Sequence, residues 1–348
     1  MSIRHHGTWL RRLSCTLWVV DAITGGMAER RYCIGIPTAN RDQGVVEAVA
    51  SALANADTEV IVVDQNDDDR LVAALASVAD NPALRHVRIE RRGAGHARNV
   101  AIALSGTDVI CFTDDDCIVP PDYAVSMAGV FEAHPGAGVL FSDVAAEHDD
   151  APGYIPHFVV DEEHVIDRFR PSLPGNEPGL GAGMAVRRAA MDDVGGFDNG
   201  MGPGAPFGAS EDRDLALRVL AAGWSVVSTP ATSVTHLGAR VTDDEIHDLL
   251  ERNHIGMGGQ LAKLIRSRMR GSVPYASFVV GRVVRDIVRS SISHRRPHGL
   301  RRLVWLATGL RRSMRVPVDR DRHVYHTDPL ELPPEATAPF ADGRAGAQ

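Results

Sequence analysis

The chain has 348 residues, 44% of them apolar and 24% charged, so it can bury a large core and is not a disordered protein. Its formal net charge of −8 argues against a general nucleic-acid binder. The four cysteines (Cys15, Cys33, Cys111, Cys117) show no CxxC spacing, which reads as reduced thiols in a cytosolic protein.

No apolar run approaches the length of a transmembrane helix. Residues 11–20 place charge ahead of hydrophobicity as a signal peptide does, but Asp21 interrupts the run and no small-residue cleavage site follows. The ordered pattern starts near Arg31, so residues 1–30 are expected to form an N-terminal arm, with Met27 as an alternative initiator.

From Tyr32 to Ala39 the spacing predicts a short buried strand stopped by Pro37, and Val45 to Leu53 an amphipathic helix. Glu59 to Asp64 predicts a second strand ending in a carboxylate, followed by a polar turn and a helix through Leu71, Leu75 and Val78. A third strand spans Arg85 to Glu90 and a third helix Ala97 to Leu104. Val109 to Phe112 is the fourth strand, and Asp114, Asp115 and Asp116 follow where it leaves the sheet. Strands alternating with helices at this spacing imply an α/β fold with a mostly parallel, Rossmann-like sheet flanked by helices, whose ligands bind at the carboxyl ends of the strands. Three adjacent acids repel one another; a hard divalent cation with oxygen ligands is one counter-charge, and a solvated acidic turn is the alternative. Neither a glycine-rich dinucleotide loop nor a Walker sequence is present, so phosphate must be held by a metal and by arginine, which directs attention to Arg98.

The series Ile36-Pro37-Thr38, Val62-Val63-Asp64, Gly95-His96-Ala97-Arg98-Asn99 and Phe112-Thr113-Asp114-Asp115-Asp116 resembles the nucleotide-sugar half of the family 2 glycosyltransferases, which have the GT-A fold. The resemblance implies a donor site built from Pro37, Thr38, Asp64, Arg98, Asp114 and Asp115. It also implies a Mn2+ or Mg2+ ion held by Asp116 and Asp114 against the donor diphosphate. One departure is Gln65, where a second acid or a small residue often follows the position of Asp64; it bears on which nucleotide base is recognised.

Past Asp122 a helix runs through Val130 to a strand at Gly138–Ser142. Residues from about 147 to 178 lack periodicity and read as a functional loop or a surface excursion. A glycine-containing strand follows at 181–188, then Gly195-Gly196-Phe197-Asp198, a glycine-rich loop, and Ser210-Glu211-Asp212-Arg213-Asp214. Ser210 is expected as an N-cap, with Leu215, Ala216, Val219 and Leu220 as the buried stripe. Alone, this is an acidic helix start with Asp214 and Arg218 as an i,i+4 pair. In sequence with the donor motifs it is a second signature of the same family, and the resemblance makes Asp212 the catalytic base with Glu211 beside it. Trp224–Ser228 and Thr232–His236 are read as two further strands, and the resemblance makes His236 a metal ligand; a structural histidine is the alternative.

After Asp243 helices dominate, and between Lys263 and Arg315 the only acid is Asp286. The basic amphipathic stretch 278–315 can make peripheral contact with an anionic membrane surface, or pack on the catalytic domain and expose its arginines. The expected organisation is a GT-A catalytic domain over 31–240 (donor half 31–120, acceptor half 121–240), a basic helical extension over 241–327 and a disordered tail over 328–348. The implied reaction is sugar transfer, with inversion, from a UDP, dTDP or GDP sugar to a glycan, lipid-linked or small-molecule acceptor, in the cytoplasm or at the inner face of the membrane. A retaining transferase or an inactive nucleotide-sugar-binding protein of the same fold are the alternatives. A sugar nucleotidyltransferase is disfavoured by the loop Pro37–Arg41, and a processive synthase by the lack of transmembrane helices and of a QxxRW motif.

Overall fold

The computed structural model describes residues 30–41, 44–147, 154–169, 179–238, 242–295, 299–327, 330 and 332. The arm before residue 30 and nearly all of the tail lie outside the described residues.

The first four strands, β1 (Tyr32–Thr38), β2 (Thr58–Asp64), β3 (Leu84–Arg88) and β4 (Val109–Phe112), run parallel in the order β3-β2-β1-β4. The inner strands β1, β2 and β4 read as mostly apolar runs because both faces are covered, whereas the edge strand β3 carries two arginines and a histidine. Cys33, Ile61, Val63 and Phe112 enter one core layer, while Ile34, Ile36, Val60, Val62 and Cys111 enter the other, as a period of two requires. The helices between these strands are α1 (Gly44–Leu53), α2 (Arg70–Ala74) and α3 (Ala94–Leu104). Gly35 lets β1 approach its neighbours, since a Cβ there would lie 2.8 Å from the Phe112 ring and 3.0 Å from Ala101.

Beyond β4 the sheet is mixed. It continues through β8 (Met184–Arg187), antiparallel to both β4 and β6 (Ala137–Ala146), and then β9 (Ser225–His236), parallel to β6. Two short strands, β5 (Cys117–Ile118) and β7 (His164–Ile166), pair antiparallel with opposite ends of β9. The helices of this half are α4 (Tyr123–Ala133), α5 (Arg188–Val194) and α6 (Glu211–Ala221).

Several details differ from the sequence reading. Trp224–Ser228 and Thr232–His236 are not separate strands but one, β9, whose register against β6 shifts between Ser142 and Asp143. Pro230 lies at that shift, has no N–H to give the ladder, and produced the apparent break. Ser210 precedes α6 but makes no side-chain cap; its backbone is left-handed at φ 73°. The irregular stretch before residue 179 also holds β7 and a bridge between Val144 and Phe158.

Three helices follow: α7 (Asp243–Arg266), started by a Thr242–Glu245 capping box, α8 (Ser272–Ser293) and α9 (Arg301–Ser313). Gly258 of α7 and Gly309 of α9 let these helices cross in backbone contact, because a Cβ on either would strike the carbonyl of Leu306 or Ile255. A hairpin of β10 (Val318–Asp319) and β11 (Val324–Tyr325) is the last described element.

A buried charge network ties α7 and this hairpin to the sheet domain. Lys263 Nζ of α7, fully buried, donates to Asp198 at 2.5 Å and lies 2.6 Å from Asp214. Arg218 donates to Asp214 at 2.8 Å and to the Val194 and Gly196 carbonyls, and the Tyr325 N–H donates to Asp198. Burial opposes the charge of Asp214, but Lys263 and Arg218 outweigh it and hold the carboxyl below the usual carboxylate range. The two acids balance the two cations, so no net charge is left in the core. Asp198 and Asp214, both within the second signature, are therefore supports of the fold.

Candidate active site

The carboxyl ends of β1, β2 and β4 form one rim. Thr38 pairs in register with Asp64, Pro37 with Val63, and Gly35 with Phe112, so the chain leaves β4 directly into the three acids at that rim. Asp64 is fully buried: Oδ1 accepts from the Asn66 N–H and side-chain amide, each at 2.8 Å, and Oδ2 lies 3.0 Å from His86 Nε2. Burial raises its pKa, but the His86, Asn66 and Arg88 contacts together hold it below the usual carboxylate range. Gln65 is a clip: its side chain accepts from the Gly93 N–H and donates to the Thr38 carbonyl.

The three acids have three different environments. Asp114 accepts from Arg98 at 2.9 Å and remains partly exposed. Asp115 accepts from the Thr38 hydroxyl at 2.7 Å and pairs with Arg41 Nε at 3.0 Å; burial lifts its pKa to about 6 although both contacts favour the charge. Asp116 takes Arg41 Nη2 at 2.6 Å and lies 3.7 Å from His236 Nε2. Arg41, in the Pro37–Arg41 loop, is a site residue that the sequence reading misses; a cationic side chain three residues past the β1 rim is its signal.

His236 reaches Asp116 through strand pairing. The Cys117 position of β5 pairs with His236 at the end of β9, and the Leu237 N–H donates to the Asp116 carbonyl. The Gly238 N–H donates to His236 Nδ1, so a neutral ring carries its proton on Nε2, facing Asp116. Asp116, Cys117 and His236 each offer a ligand atom within 4.8 Å of the others, and among the described residues this is the one cluster with metal-binding spacing. Asp114 is not part of it, being turned to Arg98. A carboxylate with an imidazole fits a cation such as Mn2+, provided the His236 proton moves to Nδ1 to free Nε2 and the Gly238 N–H gives up its bond to Nδ1.

The second motif joins the first through Arg98. This guanidinium, buried on the first turns of α3, donates 2.9 Å to Glu211 at the start of α6 and 2.9 Å to Asp114. The loop after Leu180 closes on the same group: a Cβ at Gly181 would come within 2.8 Å of Arg98, and the Gly181 N–H donates to Asp212 Oδ2 at 3.2 Å. Glu211 is buried, and burial, together with the adjacent Asp212 charge, raises its pKa to about 7 despite Arg98. Its carboxylate is engaged by the guanidinium, whereas Asp212 stays partly exposed and, among the described residues, accepts from the backbone N–H groups of Gly181 and Arg213. The arrangement thus combines a candidate cation site, a buried cation bridging two carboxylates, and an open carboxylate that can accept a proton.

Residues 33–195 match the family model described as Glycosyl transferase family 2. Pre-mycofactocin glycosyltransferase from Mycobacterium tuberculosis, in strains H37Rv and CDC 1551, is 29% identical over 221 residues, covering 61% of this chain and 43% of the relative. The chain therefore spans less than half the length of the curated relatives it matches. Among solved structures, mannosyltransferase PcManGT from Pyrobaculum calidifontis, in complex with GDP-Man and Mn2+, matches with a TM-score of 0.53 at 18% identity, over 87% of this chain and 88% of that one. S. aureus TarS 1-349 gives a TM-score of 0.48 at 16% identity over 65% of each chain. The likeness to PcManGT identifies the fold as GT-A, and residues 33–195 carry a family 2 glycosyltransferase domain.

Proposed function

We propose that this family 2 glycosyltransferase domain moves a sugar from a nucleoside diphosphate donor to an acceptor hydroxyl, with inversion at the anomeric carbon. The observation that carries the proposal is the Arg98 bridge, because it brings the donor-end Asp114 and the α6 acids into one crevice at the strand ends. On this reading the Asp64 and Gln65 end of the crevice receives the nucleoside, with Pro37 and Thr38 shaping the β1 rim. Asp116 and His236 would hold a divalent cation, with Asp114 recruited from Arg98 or contacting ribose. When bound, that ion would neutralise charge growing on the diphosphate leaving group.

The base is Asp212 and not Glu211. A general base needs an accessible lone pair within reach of the acceptor hydroxyl, and the Glu211 carboxylate is buried and committed to Arg98. Glu211 instead holds Arg98 in place. Asp212, with an oxygen fixed by the Gly181 N–H, takes the proton as the hydroxyl attacks the face opposite the leaving group.

The test is a thermal-shift screen of UDP, dTDP and GDP sugars with and without Mn2+. A donor supplied at about 100 times its Kd should stabilise the fold by about 2.7 kcal/mol, and only with the cation present. If no nucleotide sugar shifts the transition, the donor half of the proposal is wrong.

A further inference from the structure

Helices α8 and α9 each carry more apolar surface than their packing uses. In α8, Tyr275, Val279, Val283 and Ile287 form the buried row. One position further round, Val284, Val288 and Ile292 are 43%, 50% and 72% exposed, a second row at i, i+4 and i+8. At about 100° per residue, Arg285 and Arg289 come next, and both are exposed. The order around the helix is buried apolar, exposed apolar, cationic. A helix that only packed on its own domain would put polar residues directly beside the buried row.

Helix α9 repeats the arrangement. Leu306, Gly309 and Ser313 are buried, while Leu300, Val304 and Met314 are 54%, 63% and 66% exposed. Around its last turn, Thr308, Arg311, Arg312 and Arg315 line a surface depression of about 220 Å³. The Thr308 hydroxyl is spent on the Val304 carbonyl, but three guanidinium groups together suit a phosphate oxyanion.

Charge selects the partner. Leaving aside the buried Lys263, residues 264–315 carry thirteen Arg against one acid, Asp286, a net +12, and the remainder of the chain carries −20. Most of the molecule would be repelled from an anionic surface and this segment drawn to it, which also sets the orientation. No helix of the described residues is long and apolar enough to cross a membrane, so the contact is peripheral.

We infer that α8 and α9 form a docking surface for an anionic phospholipid bilayer. Val284, Val288, Ile292, Val304 and Met314 enter the boundary between headgroups and acyl chains, and the flanking arginines contact lipid phosphate. This inference does not depend on the transferase reading and can fail without it.

The experiment is co-sedimentation of the full chain with phosphatidylglycerol vesicles and with phosphatidylcholine vesicles, at low and at high salt. Pelleting with the anionic vesicles alone, lost at high salt, is the expected result. The double variants V288D/I292D and R285Q/R289Q, all at exposed positions, should each weaken vesicle binding by about tenfold or more while leaving the thermal transition in place. Absence of binding to phosphatidylglycerol overturns the inference, as does equal binding by the variants. Full competition by soluble glycerol phosphate would reveal a site for a free anion and also overturn it. So would a dimer seen by light scattering that V288D/I292D converts to monomer without changing vesicle binding.

Discussion

Arg98 and Glu211 lie 113 residues apart in the chain and 2.9 Å apart in the fold. The same guanidinium, with 3% of its side chain exposed, holds Asp114 on its other arm, so the strand-end rim and the start of α6 share one cation. Removing it leaves a buried carboxylate without its partner. Arg98→Met should destabilise the fold by about 3–5 kcal/mol in urea unfolding. Arg98→Met combined with Glu211→Gln should lose less than the sum of the single changes; strict additivity would mean that the two groups do not interact.

Glu211 also sets a pH dependence. Its folded pKa, raised by burial and by Asp212 to about 7, lies above the usual Glu value, so the folded chain binds more protons than the unfolded one across the interval between them. Its contribution therefore favours folding at low pH and falls as pH rises from about 4.5 to about 7. Glu211→Gln should flatten stability over that interval. Asp64 and Asp214, held below the usual range, act oppositely: their contribution is present above the ordinary Asp value and is lost as the pH falls through their lowered pKa values. Chemical denaturation across this pH range, in the parent chain and in Glu211→Gln, separates the two trends.

Lys263 neutralises Asp198 and Asp214 from α7, where all three side chains are fully buried. Lys263→Met keeps the volume and removes the charge, leaving two acids against Arg218. A loss of about 3–5 kcal/mol is expected, visible as a lower urea midpoint. If α7 were only an appendage, the midpoint would not move.

Arg41 lies on Asp115 and Asp116 at 3.0 and 2.6 Å, so it competes for the oxygens a divalent cation would use. Arg41→Gln should tighten Mn2+ binding in titration calorimetry without nucleotide. Weaker binding would mean that Arg41 orients the acids and does not compete for them.

The carboxylates of the rim were legible because each ends an apolar strand: Asp64 after Val60–Val63, and Asp114 after Val109–Phe112. In a parallel sheet all such ends fall on one side, so sequence order alone places them together. The proximity of His236 to Asp116 has a different origin. It comes from a two-residue strand, β5, pairing with the end of β9, and two residues carry no periodicity to detect. The Lys263 network was hidden for a related reason. A lysine in a basic helix gives no sign of being buried, and its partners Asp198 and Asp214 lie 65 and 49 residues before it, on other elements. The glycines of α7 and α9 were equally silent, since only the crossing of those helices explains them. Ser210 misled because a serine before an acidic turn suggests a cap, whereas its left-handed backbone leaves that cap unmade.

The assignment of Asp212 as base is the centre of the account, and Asp212→Asn tests it most directly. This change keeps the shape of the side chain and its contact with the Gly181 N–H, but removes the capacity to take a proton. Transfer should fall by about 10²–10⁴-fold, while nucleotide-sugar and Mn2+ affinities in calorimetry stay within about threefold of the parent. Turnover retained in Asp212→Asn, or lost together with donor binding, would contradict the account.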